Sequence, residues 1–285
     1  YEKYILTPSQ SQAHRDGDIH IHDFDFYTLT TTCCQIDILK LFKGGFSTGH
    51  GFLREPNDIQ SYAALACIAI QSNQNDQHGG QSIPNFDYGL APGVAKTYRK
   101  LYSSNLWKGI ALLCPEAGLA LDTVKDMIKA IEKESGFYPC LDMPEGYTKL
   151  ETEAFLPVIG SEELLSRIHS FACENALTET EKAVYQAMEA FVHNLNTMHS
   201  RAGAQTPFSS INYGMDTSSE GRMVIKNILL ATEAGLGMGE TPIFPIHIFR
   251  VKEGVNYNPG EPNYDLFKLA CRVSAKRLFP NFSFI

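Results

Sequence analysis

The sequence predicts an α/β fold built on a parallel sheet, and two observations carry that prediction. The last third of the chain alternates strand, helix, strand, helix and strand, a succession that needs right-handed crossovers between parallel strands. The composition, 44% hydrophobic and 20% charged over 285 residues, is that of a globular chain with a large core.

Taken in order, GDIHIHDFD (17–25) reads as strand-like. LTTTCCQIDILK (29–40) reads as a strand that starts polar and ends apolar. Residues 57–75 are mostly helix formers with many small side chains that suit close packing, a buried helix that polar residues end. HGGQSIPNFDYG (78–89) has three Gly and a Pro in twelve residues, a loop signal. A second helix is expected from about Leu90 to Tyr102, with Pro92 tolerated only in its first turn. Between 106 and 160 only a helix at 121–135 is legible. The segment 161–200 is strongly helical, and Thr178 with Glu181 has the capping-box spacing that would restart a second helix. AQTPFSSINYG (204–214) reads as strand. Thr217 and Glu220 have capping-box spacing ahead of GRMVIKNILLATEA, which Gly235 ends. TPIFPIHIFRV (241–251) is strand, 263–278 helix and PNFSFI strand again. GLGMGE (235–240) follows a helix and precedes a strand, the reverse of a dinucleotide loop, and is read as a helix C-cap and tight turn.

A net charge of -8 argues against a general nucleic-acid surface. No apolar run reaches membrane-spanning length, so a cytoplasmic location is expected. Seven cysteines, odd in number and widely spread, read as reduced thiols. The chain opens on Tyr1 and ends in NFSFI, like a strand cut in mid-course, which suggests a piece of a longer protein.

Three constellations could carry chemistry. His20 and His22 would leave one face of a strand together, either as packed or surface histidines or as a pair sharing a phosphate, a proton or a metal. A metal hydrolase would need further ligands that no motif supplies. Cys33 and Cys34 lack CxxC spacing; only one of them can face a given side of a strand, and each could be a small hydrophobe or a functional thiol. NLNTMHSRAGAQTPFSSINYG (194–214) is too rich in polar residues to be buried without partners, and forms either a surface loop or a pocket wall.

Together, GDIHIHD, TTCCQIDI, GGQSIPNFDYGLAP, NTMHSRAGAQTPFSSINYG, GLGMGETPIFP and NYDLFKLACRVSAKRLFPNF resemble, in order and spacing, the anaerobic class III ribonucleoside-triphosphate reductases, glycyl-radical enzymes. The resemblance covers essentially the whole chain. It implies part of a ten-stranded α/β barrel, about its first half: in the family two antiparallel halves, each of five parallel strands, form the barrel and a finger loop threads its centre. Residues 1–285 would be the N-terminal portion of the catalytic barrel, without the ATP-cone, glycyl-radical domain or C-terminal zinc site of the family.

The resemblance further implies that Cys33, four residues before Asp37, is the strand thiol that supplies hydrogen to the substrate. A thiol donates hydrogen as a neutral group and needs no depressed pKa. Cys33 would face the barrel interior and Cys34 the packing side. His20, His22, Asn196, His199 and Gln205 match substrate-cavity motifs. Arg54, Asn57 and Lys100 match the region that binds effector nucleotides, ATP or deoxynucleotides, where the two cations could hold phosphate or could simply be solvated. Met238 stands where the family often has a polar residue. Implied partners are ribonucleoside triphosphates, a radical-SAM activating enzyme and a second copy in a homodimer, with no resident metal in this segment. The alternative is a catalytically inert module for effector binding and dimerisation.

Overall fold

The computed structural model describes residues 1–21, 24, 32–200 and 204–285. In chain order the elements are α1 (Pro8–Asp16), β1 (Thr32–Gln35), α2 (Ile38–Phe42), β2 (Phe46–Ser47), β3 (Phe52–Leu53), α3 (Ile59–Asp76), β4 (His78–Ile83) and α4 (Phe86–Leu113). They continue with α5 (Leu121–Ser135), α6 (Glu145–Ile159), α7 (Glu162–Thr197), β5 (Ser209–Tyr213), α8 (Ser219–Ala234), β6 (Ile246–Val251), α9 (Tyr264–Arg277) and β7 (Asn281–Phe284).

Five strands form one sheet in the order β1-β4-β5-β6-β7, and every neighbouring pair is parallel. This is the expected α/β architecture, with the five parallel strands of one half of the implied barrel. Strands added in sequence order by crossovers of one hand must place all their helices on one face. The core agrees: Ile83, Ile211, Tyr213, Phe249 and Val251 share a single apolar cluster with buried residues of α3, α4, α7, α8 and α9. The alternate residues Ser82, Ser210, Asn212, Ile246, Ile248 and Arg250 are only half-buried on the opposite face.

Two helices carry the structure beyond the sheet. At 1.5 Å per residue, α4 with 28 residues spans about 42 Å and α7 with 36 spans about 54 Å. They run antiparallel. The start of α4 (Phe86, Leu90, Val94) and the end of α7 (Val184, Phe191, Leu195) lie in the sheet core. The end of α4 and the start of α7 form a second core with α5 and α6, built on Tyr102, Leu106, Phe155 and Ile168.

Several expectations are corrected. The segment 78–89 is not a loop: it is β4 and the first turn of α4. Gln81 N–H bonds the Phe208 carbonyl at 2.8 Å, so strand pairing outweighs the glycine content. Helix α4 begins four residues earlier than expected and carries Pro92 inside it. Asp87 anchors that early start, because its Oδ2 accepts N–H bonds from Gly214, Met215 and Asp216 at 2.9, 2.9 and 3.0 Å. The segment 161–200 is one helix rather than two; Thr178 turns its hydroxyl back onto the Glu174 carbonyl at 2.9 Å and caps nothing. Residues 17–21 form no strand but follow the left-handed Gly17 that ends α1. The cap of α8 is Ser218, one residue later than read, accepting from Gly221 N–H at 3.1 Å.

Candidate active site

Cys33 is the second residue of β1. Thr32 pairs with His78 and Cys34 with Gln81, so β4 holds one residue more than β1 across the irregularity. Cys33 takes φ +56° and Gly79 φ +90°. A Cβ on Gly79 would sit 2.9 Å from the Cys33 sulfur and 3.1 Å from its backbone nitrogen, so only glycine lets the thiol lie against β4. Cys33 is exposed. The neighbouring Cys34 is half-buried and lines a cavity of about 430 Å³ with Leu41, Phe46, Ala69 and Asn73, on the side of α3.

The sheet edge continues from there. A Cβ on Gly80 would meet the Phe208 ring at 3.0 Å, and the Phe208 ring lies 5.3 Å from that of Phe244. Cys33, Gly79, Phe208 and Phe244 thus stand where β1, β4, β5 and β6 begin. Asn196, in the last turn of α7, secures this edge. Its Oδ1 accepts from Ile243 N–H at 2.8 Å and Phe244 N–H at 3.1 Å, and its Nδ2 donates to Val192 O at 2.7 Å and to Phe244 O. The Asn196 amide is therefore engaged by backbone and positions the segment before β6. His199 and Gln205 are exposed just beyond α7, where the Gln205 carbonyl accepts from Ser200 N–H at 3.2 Å.

His20 is exposed after α1, its ring 5.9 Å from that of His14. His22 lies outside the described residues. Among the described residues no three His, Cys, Asp or Glu side chains converge as metal ligands would.

The remaining three expected residues gather around one carboxylate. Asp58 caps α3, accepting from Ser61 N–H at 2.9 Å, and lies 3.9 Å from Lys100 Nζ. Burial works to raise the Asp58 carboxyl, but its Ser61 hydrogen bonds and the cations Lys100 and Arg54 bring it below the usual range. Asn57 precedes it, with its N–H on Ser61 Oγ at 3.1 Å. Beside this cluster Lys96, Arg99, Lys100, Lys125 and Lys129 border a cavity of about 300 Å³ that includes the single acid Glu132.

Sequence reading missed Gly79, Phe208 and Phe244, because their importance lies in cross-strand contacts. The turn GLGMGE is the helix C-cap it was read to be: Gly235 N–H bonds Ala231 O, and Arg277 donates to the Glu233, Ala234 and Gly239 carbonyls at 2.8 Å.

A parallel sheet with helices packed on one face and an exposed cysteine on its edge strand defines an α/β scaffold that presents a thiol. The chain belongs to the anaerobic ribonucleoside-triphosphate reductase family, whose model matches residues 1–285. It is 27% identical over 283 residues to the anaerobic ribonucleoside-triphosphate reductase of Salmonella typhimurium, covering 98% of this chain and 31% of that protein. With the enzyme of the same name from Enterobacteria phage T4 it shares 29% over 274 residues, covering 95% and 35%. The chain thus spans about a third of the length of these relatives. Among solved structures it is similar to the anaerobic ribonucleotide reductase from Thermotoga maritima with citrate in the active site, at TM-score 0.49 and 11% identity, covering 97% of this chain and 40% of that one. No helix among the described residues is long and apolar enough to cross a membrane.

Proposed function

We propose that this chain is the N-terminal part of the catalytic barrel of an enzyme that reduces ribonucleoside triphosphates to their 2′-deoxy forms, with Cys33 as the hydrogen-donating thiol. The observation that carries the reading, beside family membership, is the position of Cys33: exposed on the edge strand β1 and pressed against Gly79, while its neighbour Cys34 takes the side of α3. All-parallel sheets are ordinarily covered on both faces. A second half-barrel closing over the face opposite the helices would exclude water from the thiol and hold a sugar beside it.

In this proposal the Cys33 S–H gives a hydrogen atom to the sugar as the 2′-hydroxyl leaves as water; the net reduction takes two electrons, and a reductant from outside this chain, formate or a redoxin, supplies the balance and returns Cys33 to the thiol. Gly79 sets the direction of that sulfur. Asn196 holds the backbone before β6, and His199 and Gln205, with His20 and His22, are proposed to contact the substrate. A glycyl radical, carried beyond residue 285 and installed by a radical-SAM activating enzyme, supplies the oxidising equivalent that starts the reaction. The family's zinc site is likewise assigned to segments outside this chain. Arg54, Asn57 and Lys100 are proposed to take the phosphates of effector nucleotides, ATP or deoxynucleotides, across a homodimer contact, in a cytoplasmic enzyme.

The test is turnover by the native full-length protein under anaerobic conditions, measured as deoxynucleotide formed. Cys33→Ser should lower turnover by at least a thousandfold, and Cys34→Ser by less than about fivefold, since Cys34 lines the cavity on the side of α3. Turnover retained in Cys33→Ser would overturn the assignment. A second reading, an effector-binding and dimerisation module without chemistry of its own, draws on the Arg54, Asn57 and Lys100 cluster. It takes over if the native protein binds deoxynucleotides but never turns over.

A further inference from the structure

The second core holds a group of titratable side chains that the proposed reaction does not use. Glu151 on α6 is 2% exposed. Tyr102 on α4 lies 2.7 Å from Glu151 Oε2 and donates its single proton there. The other carboxylate oxygen, Oε1, lies 3.1 Å from His169 Nδ1 on α7. The far nitrogen of the same imidazole, Nε2, is 3.4 Å from the sulfur of Cys173, one helical turn further along. Tyr98 of α4 lies near the same sulfur. The hydroxyl of Tyr147, a fully buried residue of α6, has no hydrogen-bond partner among the described residues.

This is the arrangement of an activated nucleophile: thiol, imidazole and orienting carboxylate in line. Glu151 accepts a hydrogen bond from Nδ1–H, and with Tyr102 Oη 2.9 Å from the same nitrogen it holds the ring so that Nε2 faces sulfur. The sulfur hydrogen bond and Glu151 raise His169 to about 10, against its burial, so the ring is an imidazolium at neutral pH. An imidazolium N–H directed at a sulfur is the partner a thiolate nucleophile needs, and it can protonate the group that leaves. Cys140 is also near Tyr98, but its thiol is pushed up by burial and by Glu220 and Asp142, and it donates to the Asp142 carbonyl at 3.1 Å. Cys173 is half-buried and His169 is 21% exposed in its side chain, so a small reagent can reach them while bulk solvent is held back.

We infer that Cys173 is a reactive thiol and a modification site, forming mixed disulfides with low-molecular-weight disulfides, with His169 and Glu151 as its positioning residues. The Cys173 thiolate attacks one sulfur of RS–SR. A Cys173–SR bond forms, the RS–SR bond breaks, and the departing RS⁻ takes the Nε2 proton of His169, which solvent replaces. Cys173 is oxidised and the leaving thiol is reduced. The inference stands independently of the role given to Cys33.

The test uses the complete chain and dipyridyl disulfide, with acid quenching and peptide mapping to give a rate for each cysteine at pH 6 and pH 7. Cys271, whose thiol burial pushes up, is the internal reference. Its rate should fall about tenfold per pH unit, as for any thiol well below its pKa. Cys173 should change less than about threefold over the same interval, and His169→Gln should restore the tenfold dependence. A tenfold dependence for Cys173 in the unaltered protein overturns the inference, and that measurement needs no variant to fold. An unchanged profile in His169→Gln overturns the role given to the imidazole.

Discussion

At Gly79 two constraints coincide: a φ of +90°, which L side chains rarely adopt, and a would-be Cβ 2.9 Å from the Cys33 sulfur. Gly79→Ala should therefore cost about 1–3 kcal/mol in urea unfolding, from backbone strain and overpacking together. A loss under about 0.5 kcal/mol would show that the thiol does not lie against β4. The two cysteines at 33 and 34 were legible in sequence, but which of them faced the helices was settled by packing. Gly79 itself was legible only as a loop glycine, because its partner is a residue on another strand. Asn196 was legible as a residue matching a substrate-cavity motif, and in the fold its amide is engaged with Ile243, Phe244 and Val192.

Helix α7 shows how local signals compete. Ser161 accepts from Leu164 N–H at 3.3 Å and caps the helix, whereas Thr178 sits mid-helix with its hydroxyl on Glu174 O. Ser161→Ala should cost about 1 kcal/mol and Thr178→Ala less than about 0.5 kcal/mol in thermal or urea unfolding. Equal and large losses would mean that the helix restarts at Thr178. Buried Ala172, Ala176, Thr180 and Val184 explain why the helix continues, since they pack a continuous stripe against α4 through both cores. Helix α1 was missed although Thr7, Pro8, Gln10 and Gly17 spell out its capping box, first turn and C-cap. Its lack of an apolar face left periodicity with nothing to find.

Across the whole molecule, two histidines set opposite limits on stability. His247 is wholly buried between Tyr213 and Thr232, at 3.1 and 3.3 Å, and burial holds it down at about 3. Thr232 gives its own proton to Ile228 O, so it accepts from His247 Nε2 and the ring is neutral. The unfolded chain binds that proton near pH 6.5, so the contribution of His247 is present above about pH 6.5 and is lost on acidification. The acid slope is up to about 1.4 kcal/mol per pH unit. His169 is shifted the other way, to about 10. Its contribution is full below about pH 6.5 and falls as pH rises towards 10. The midpoint of thermal unfolding should peak near pH 6–7. His247→Gln should flatten the acid limb and His169→Gln the alkaline one; a midpoint that is level from pH 5 to 9 would contradict both assignments.

The sequence by itself determined the alternation of strands and helices in the last third, the parallel sheet that alternation requires, and the motif that marks Cys33 and the family. Those are properties of short segments, carried by periodicity, caps and spacing. Only the tertiary structure decided that all the crossover helices lie on one face, that 78–83 is a central strand despite its glycines, and that Glu151, His169 and Cys173 line up between α6 and α7. His169 and Cys173 share a helix face four residues apart and could have been paired from sequence. The carboxylate that gives the pair its chemistry comes from another helix, and contacts between distant segments are fixed by packing rather than by any local pattern.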